Sequence, residues 1–397
     1  MTDLPISARP RPRVSPTGVL FAVAGLSGLA LPLVQFKANR IVAGDALGLP
    51  GALPGPTGGL AVAALALLLL AGLPARVSPG LRLALALAGV LAVPVLLGLA
   101  AQGLMPEGNR MARVAPASGF WLLFLAFALS AADALKRLSP SIGHRWALLG
   151  LAVLAVTGLV ASGWLDRTSV MTEYAARAGL FARALRQHLL LAFGSLGAAL
   201  VVGLPLGVLI HQVRPLRRGV LGVLNLIQTI PSLALFGIMI PLFGWIAAHV
   251  PGAALAGVAG IGPFPALMAL FLYSLLPVVS NTLVGLGGVD PAVRDAALGL
   301  GMTRAQVLAQ VQVPLALPVI LAAVRIVLVQ NIGMAVIAGL IGGGGFGSFV
   351  FQGLNQTAMD LILLGALPTI FLALVAGVAL DLSVEALDPL RRPRRTP

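Results

Sequence analysis

Apolar residues dominate this chain in long, nearly unbroken runs rather than in the alternating or 3.6-residue patterns of half-buried surface elements. Ten runs reach or approach the roughly 20 residues that carry a helix across a ~30 Å hydrocarbon core. They lie near residues 18–36, 57–75, 81–102, 116–133, 145–163, 189–210, 221–247, 264–286, 315–340 and 362–384. The alternating segments of a membrane β-barrel are absent, so the spans are predicted to be helical. The expected fold class is all-α: a polytopic helical membrane protein with about ten transmembrane helices.

Composition strengthens this reading. Of 397 residues, 59% are hydrophobic and 10% charged, with a mean hydropathy of +1.02; a soluble chain carries about 25% charged residues. The net charge of +14 is distributed in short clusters between apolar runs, which is how positive-inside orientation shows itself, so no nucleic-acid partner is expected. With the N-terminus inside, 17 Lys and Arg fall in inner segments or their edges, including Arg9, Arg11, Arg13, Arg214, Arg217, Arg218 and Arg391. Eight fall outside, and Arg325 lies within a span. Both termini are therefore expected in the cytoplasm. The first apolar run is too long for a signal-peptide core and reads as a retained span.

Along the chain, residues 1–165 form an Ala/Leu-rich membrane region of about five helices. Residues 166–181 read as an extracytoplasmic interfacial segment, 182–386 as a second membrane region with polar residues and Pro/Gly breaks inside its spans, and 387–397 as a basic cytoplasmic tail. The absence of cysteine excludes disulfides and thiolate chemistry. His144, His188, His211 and His249 are too far apart for metal-ligand spacing, so neither metal nor cofactor is expected.

What the chain lacks bears on its energy source. Its two lysines, Lys37 and Lys136, stand in no G-x-x-x-x-G-K context, so a P-loop is excluded. All twelve acidic residues sit in loops or near span ends, Asp360 and Asp381 coming closest to the membrane, whereas ion-coupled carriers usually hold carboxylates within spans. Energy must come from another chain. The stretch Gly342 to Gly347 matches G-x-G-x-x-G but follows a membrane helix, which excludes a dinucleotide site. A flexible helix break and a hinge or pore-lining turn both remain open for it.

The segment 287–314 is expected to form two short helices meeting at a glycine elbow on the cytoplasmic side. Asp290 is a good N-cap before Pro291, and a stop is expected at Gly299 or Gly301. Thr303 and Gln306 form a T-x-x-Q capping box opening a second helix that ends before Pro314. A soluble partner could grip such an elbow. Only Arg294 and Arg304 are basic there and spans flank it, which speaks against a DNA-binding helix-turn-helix.

Asn225, Gln228, Thr229 and Ser232 recur at three- and four-residue steps and line one face of the seventh span, with Pro231 freeing the Ile227 carbonyl. Tyr273, Ser274 and Asn281 in the eighth span carry a weaker version of the signal. These residues either bond between helices or line a translocation path. Arg325 either snorkels or pairs structurally, or gates.

The elbow resembles the coupling loop of ABC importer permeases, E-A-A-x-x-x-G followed after nine residues by I-x-L-P. The matching positions are Asp295, Ala296, Ala297, Gly301, Val311, Val313 and Pro314, with Asp in place of Glu and Val in place of Ile and Leu. His188 to Gly207 resembles the opening helix of the type I permease core. Gln228 to Leu235, Ile341 to Gly347, and Phe351 to Leu354 followed by Asp360 are similar to the osmoprotectant branch, which imports glycine betaine, choline, carnitine or related solutes. The likeness covers roughly 182–386; the first five spans lie outside that core, although a subgroup of the branch has a comparable extension. The resemblance implies ABC ATPase subunits docked at the loop, an extracytoplasmic solute-binding protein, and a second permease chain, identical or homologous, in the cell's inner membrane. Against it stand an ion-coupled secondary carrier, an ABC permease for amino acids, and a membrane scaffold.

Overall fold

The computed structural model describes residues 14–39, 42–74, 76–105, 109 and 111–387. Arg9, Arg11, Arg13, Arg40, Arg110 and the basic tail from residue 388 onward lie outside them. Packing divides the chain into two units, one of residues up to 141 with 154–173, the other of 142–153 with the residues from 174 on.

The first unit opens with α1 (Pro16–Ala30), capped by Ser15, whose Oγ accepts from the Gly18 N–H. Leu31 is extended before Pro32, which ends the helix. There follow β1 (Val34–Lys37), β2 (Asp45–Leu47), α2 (Leu49–Ala52), α3 (Thr57–Ala71), α4 (Pro79–Leu104), β3 (Arg113–Pro116) and α5 (Ser118–Leu138). The strands pair antiparallel in the order β2-β1-β3, Val34 lying opposite both Leu47 and Pro116. This small sheet ties together loops at one end of the helices. Strands of three and four residues are too short to leave a period-2 pattern in the sequence. They also take residues 34–36 away from the first expected span, leaving α1 at 15 residues, and α3 is of the same length. At 1.5 Å per residue such helices reach about 22 Å.

Leu65, Val93, Leu97, Leu123 and Phe127 form the core of this unit. A glycine sets the approach of α4 to α5: a Cβ on Gly89 would lie 2.2 Å from the Phe127 ring. Trp164 donates its indole N–H to the Val95 carbonyl at 2.9 Å, and Arg113 reaches the buried Glu173 at 3.5 Å. Two helices run from one unit into the other, α6 (Ile142–Ala161) and the short α7 (Ser169–Ala176). No residue of α6 is buried within the chain.

The second unit holds α8 (Ala178–Gln212), α9 (Arg214–Thr229), α10 (Ser232–His249), α11 (Pro263–Gly287), α12 (Pro291–Gly299) and α13 (Arg304–Gln306). A π-helical turn, Val307–Gln312, leads into α14 (Val313–Met334); a 3₁₀ turn, Ile337–Ile341, precedes α15 (Gly347–Asn355) and α16 (Met359–Leu387). Small residues let α8 and α11 meet closely, for a Cβ on Gly207 would lie 2.6 Å from Thr282. Where α8, α11 and α14 meet, the fully buried Asn331 donates to Ser195 Oγ at 2.8 Å and Ser274 Oγ at 2.9 Å. Both serines donate onward to carbonyls of their own helices, at Leu191 and Leu270. Each inter-helix bond of this kind contributes about 1 kcal/mol in a membrane.

Among the described residues, eight helices are long and apolar enough to cross a membrane, and α1 and α3 are shorter apolar helices. One expected span is corrected: the run 221–247 is not a single helix. Ile230 is extended at φ −68, ψ 125, because it precedes Pro231, and the chain restarts as α10 at Ser232. A second correction concerns Pro314. The helix opened at Thr303 does not stop before it but continues from Arg304 to Met334. The wider π-helical turn just ahead of α14 accommodates a residue that has no N–H to give.

Candidate functional site

The elbow is built by local capping. Asp290 Oδ1 accepts from the Ala292 N–H at 2.9 Å, Pro291 opens α12, and the helix closes through two bonds, Met302 N–H to Ala297 O and Gly301 N–H to Leu298 O. Gly301 sits at φ +86, a left-handed conformation that glycine adopts without steric cost. Thr303 then receives the Gln306 N–H at 3.3 Å and gives its own N–H to Gln306 Oε1 at 2.8 Å, completing the capping box. Asp295, Ala296 and Gly301 are exposed, while Ala297 is 7% exposed and turns inward. Leu300 is 85% exposed at the tip. A rigid, capped turn thus presents small residues, the Asp295 carboxylate and an uncovered leucine, and its second arm runs without interruption into α14.

The polar stripe is rearranged by the break at Pro231. Gln228 and Thr229 end α9 and Ser232 begins α10, so the four residues do not share one helix face. Gln228, Thr229 and Ser232 instead border an open cleft of about 330 Å³, together with Tyr273, Gln330 and Met334. Gln228 Nε2 donates to the Tyr273 carbonyl at 3.0 Å, and the Tyr273 hydroxyl donates to the Ile230 carbonyl. Asn225 is exposed on α9 and does not border the cleft. Neither does Asn281, whose amide donates to Pro277 O in its own helix at 2.8 Å. The sequence reading missed Gln330 and Met334; their four-residue spacing on α14 was the available signal.

Comparison with known proteins gives these features a frame. The family described as "Binding-protein-dependent transport system inner membrane component" matches residues 199–393, and "ABC transporter permease YehY, N-terminal domain" matches 14–171. The osmoprotectant import permease protein OsmW of Salmonella typhimurium is 44% identical over 212 residues, 53% of this chain and 94% of that protein. The carnitine transport permease protein OpuCB of Listeria monocytogenes is 38% identical over 203 residues, 51% of this chain and 86% of that protein. The choline transport system permease protein OpuBB of Bacillus subtilis is 36% identical over the same shares.

The chain is an ABC importer permease.

Among solved structures, an inward-facing conformation of the MetNI methionine ABC transporter gives a TM-score of 0.48 at 24% identity, over 53% of the permease and 98% of that chain. As a translocation subunit the permease is not itself the ATPase, and ATPase partners follow from the family. Arg325 of α14 is paired: its Nη1 lies 2.8 Å from Asp381 Oδ1 on α16. Asp381 Oδ2 is 3.7 Å from Arg145, which also pairs with Glu385. Two guanidinium groups and two carboxylates from α6, α14 and α16 therefore neutralise one another, which lowers the cost of holding charge there.

Proposed function

We propose that this permease carries a compatible solute of the betaine class, such as glycine betaine, choline or carnitine, into the cell. The observation that carries the reading is the substrate class borne in the names of the three similar permeases, at 36–44% identity over about half of the chain. The weakly polar, uncharged cleft at the break between α9 and α10 is in keeping with it. Phosphate or sulfate would call for several cationic donors. In this reading the elbow, with Asp295, Ala296, Ala297 and Gly301, and Pro314 beyond it, takes the force of a separate ATPase. Gln228, Thr229 and Ser232 border the path, Asn225 and Asn281 support its helices, and Arg325 is a structural charge rather than a gate. An extracytoplasmic binding protein supplies affinity, and a second permease chain completes the pathway in the inner membrane.

The test is uptake of labelled glycine betaine, choline and carnitine into vesicles holding the complete transporter and ATP. ATP-dependent accumulation of at least one is expected. Uptake of none of them, with robust uptake of an amino acid or an anion, overturns the substrate class.

The proposed orientation has its own test, and the absence of native cysteine supplies a silent background. A cysteine at position 300, on the exposed elbow tip, should react with membrane-impermeant maleimide only in inverted vesicles, and one near Arg391 should behave alike. Labelling of either from outside intact cells contradicts an inner elbow and tail.

A further inference from the structure

We infer that the cleft at the broken helix is a solute-binding station of fixed polarity, where a zwitterion lies with its carboxylate toward the start of α10 and its ammonium toward the end of α9. The inference rests on the betaine-class reading above and deepens it.

The cleft comes first. A space of about 330 Å³ falls in the range of small-molecule sites, and it opens beside a core of Leu, Ile, Ala, Phe and Met. Its polar lining has hydrogen-bonding capacity to spare. Gln228 uses only its Nε2, toward the Tyr273 carbonyl, and Gln330 only its Nε2, toward the Met334 sulfur at 3.5 Å, so both amide oxygens are free. Ser232 makes no side-chain hydrogen bond among the described residues. Groups left unsatisfied in a membrane bundle cost free energy unless water or a solute engages them.

Polarity follows from the backbone. The α9 helix ends at Thr229 and the α10 helix begins at Ser232, with only Ile230 and Pro231 between them, so a C-terminus and an N-terminus flank the same cleft. No side chain caps the start of α10, which leaves its first N–H groups and the positive end of an 18-residue helix for an anion. The terminal carbonyls of α9 favour a cation. A solute with a carboxylate at one end and a quaternary ammonium at the other complements both ends at once, without any ionised side chain. Broken helices serve charged solutes in this manner elsewhere in membrane transport. Choline, which lacks the carboxylate, engages only the α9 end.

The experiment replaces Ser232 by Asp in the complete transporter, reconstituted with its ATPase and binding protein. Aspartate suits the first turn of a helix, so α10 should keep its form, but its charge opposes a carboxylate and spares a cation. Betaine uptake, choline uptake and binding-protein-stimulated ATP hydrolysis are read in one preparation, so a change in the amount of folded transporter cancels. Betaine transport should fall about tenfold relative to choline transport and to ATP hydrolysis, the scale of one lost charge-assisted hydrogen bond. Betaine falling no further than choline and ATP hydrolysis overturns the inference. Should Ser232→Asp fail to assemble, Ser232→Val removes the hydroxyl alone and should lower the betaine-to-choline ratio about threefold; an unchanged ratio again overturns it. If the unaltered transporter imports no betaine-class solute, the functional reading itself fails, and that result is distinct from an unchanged ratio in a transporter that does.

Discussion

Replacing Gly301 by tryptophan should abolish ATP-driven transport while the permease still expresses and inserts. Two physical effects converge on this position, and they can be separated. Gly301 holds a φ of +86, where a side chain costs about 1–2 kcal/mol. The space around it is open, since a Cβ built there meets nothing within 4 Å, so no clash inside the chain is added. A large ring would therefore project from the elbow into whatever docks against it. Loss of one central contact at an interface costs about 2–4 kcal/mol, on the order of a hundredfold in coupling. Gly301→Asn is the control, because asparagine tolerates the left-handed region and is small. Asn should keep most transport and Trp almost none, with stimulated ATP hydrolysis following the same order. Wild-type transport in a well-expressed Gly301→Trp permease would remove the elbow from the coupling mechanism. Equal loss in both variants would assign the effect to backbone strain alone.

Much of this elbow was legible in the sequence because its determinants are local. Asp290, Pro291, Gly301, Thr303 and Gln306 act on neighbours within about five residues, through caps and a left-handed turn whose chemistry does not depend on the rest of the fold. The spans were legible for a similar reason, since the bilayer demands length and apolarity of each segment on its own. The places where the reading fell short all depend on partners distant in sequence. The residues that became β1 and β3 are separated by more than seventy positions, so no local pattern announces their pairing. Asn331 gave no signal of its role, because the serines it joins lie on two other helices. Arg325 looked isolated in the sequence, yet its counter-ion, Asp381, is 56 residues away. At Pro231 the signal was present and underweighted: proline followed by a serine that can open a helix terminates one helix and starts another. That single reassignment turns a polar stripe into a cleft between helix ends.

Substituting Gly347 by alanine should destabilise the permease by about 3 kcal/mol or more, a larger effect than any other single methyl group added to the glycine-rich turn. A Cβ at Gly347 would lie 1.8 Å from the Val336 carbonyl oxygen, well inside contact distance and against backbone, which cannot rotate away. The 3₁₀ turn ahead of it is close as well, for a Cβ on Gly339 would lie 2.4 Å from the Gly347 carbonyl carbon. Gly342, Gly344 and Gly345 hold φ values of +72 to +74, and Phe346, next in the chain, is fully buried against the rings of His188 and Phe181. The stretch is thus a packed turn that requires glycine for close approach, which argues against a loose break in the chain. Rigidity has a mechanical consequence: α14 runs directly from the elbow to this turn, and a stiff connection passes its displacement on to α15 and α16 where a loose one would absorb it. Gly237→Ala, in α10 with nothing within 4 Å of the added methyl, is the matched control and should change stability by no more than about 1 kcal/mol, in the favourable direction. Thermal melting and yield of the purified permease read both variants. A Gly347→Ala permease that expresses and melts like the unaltered chain would mean the turn yields easily, and would return the glycine-rich stretch to the flexible reading.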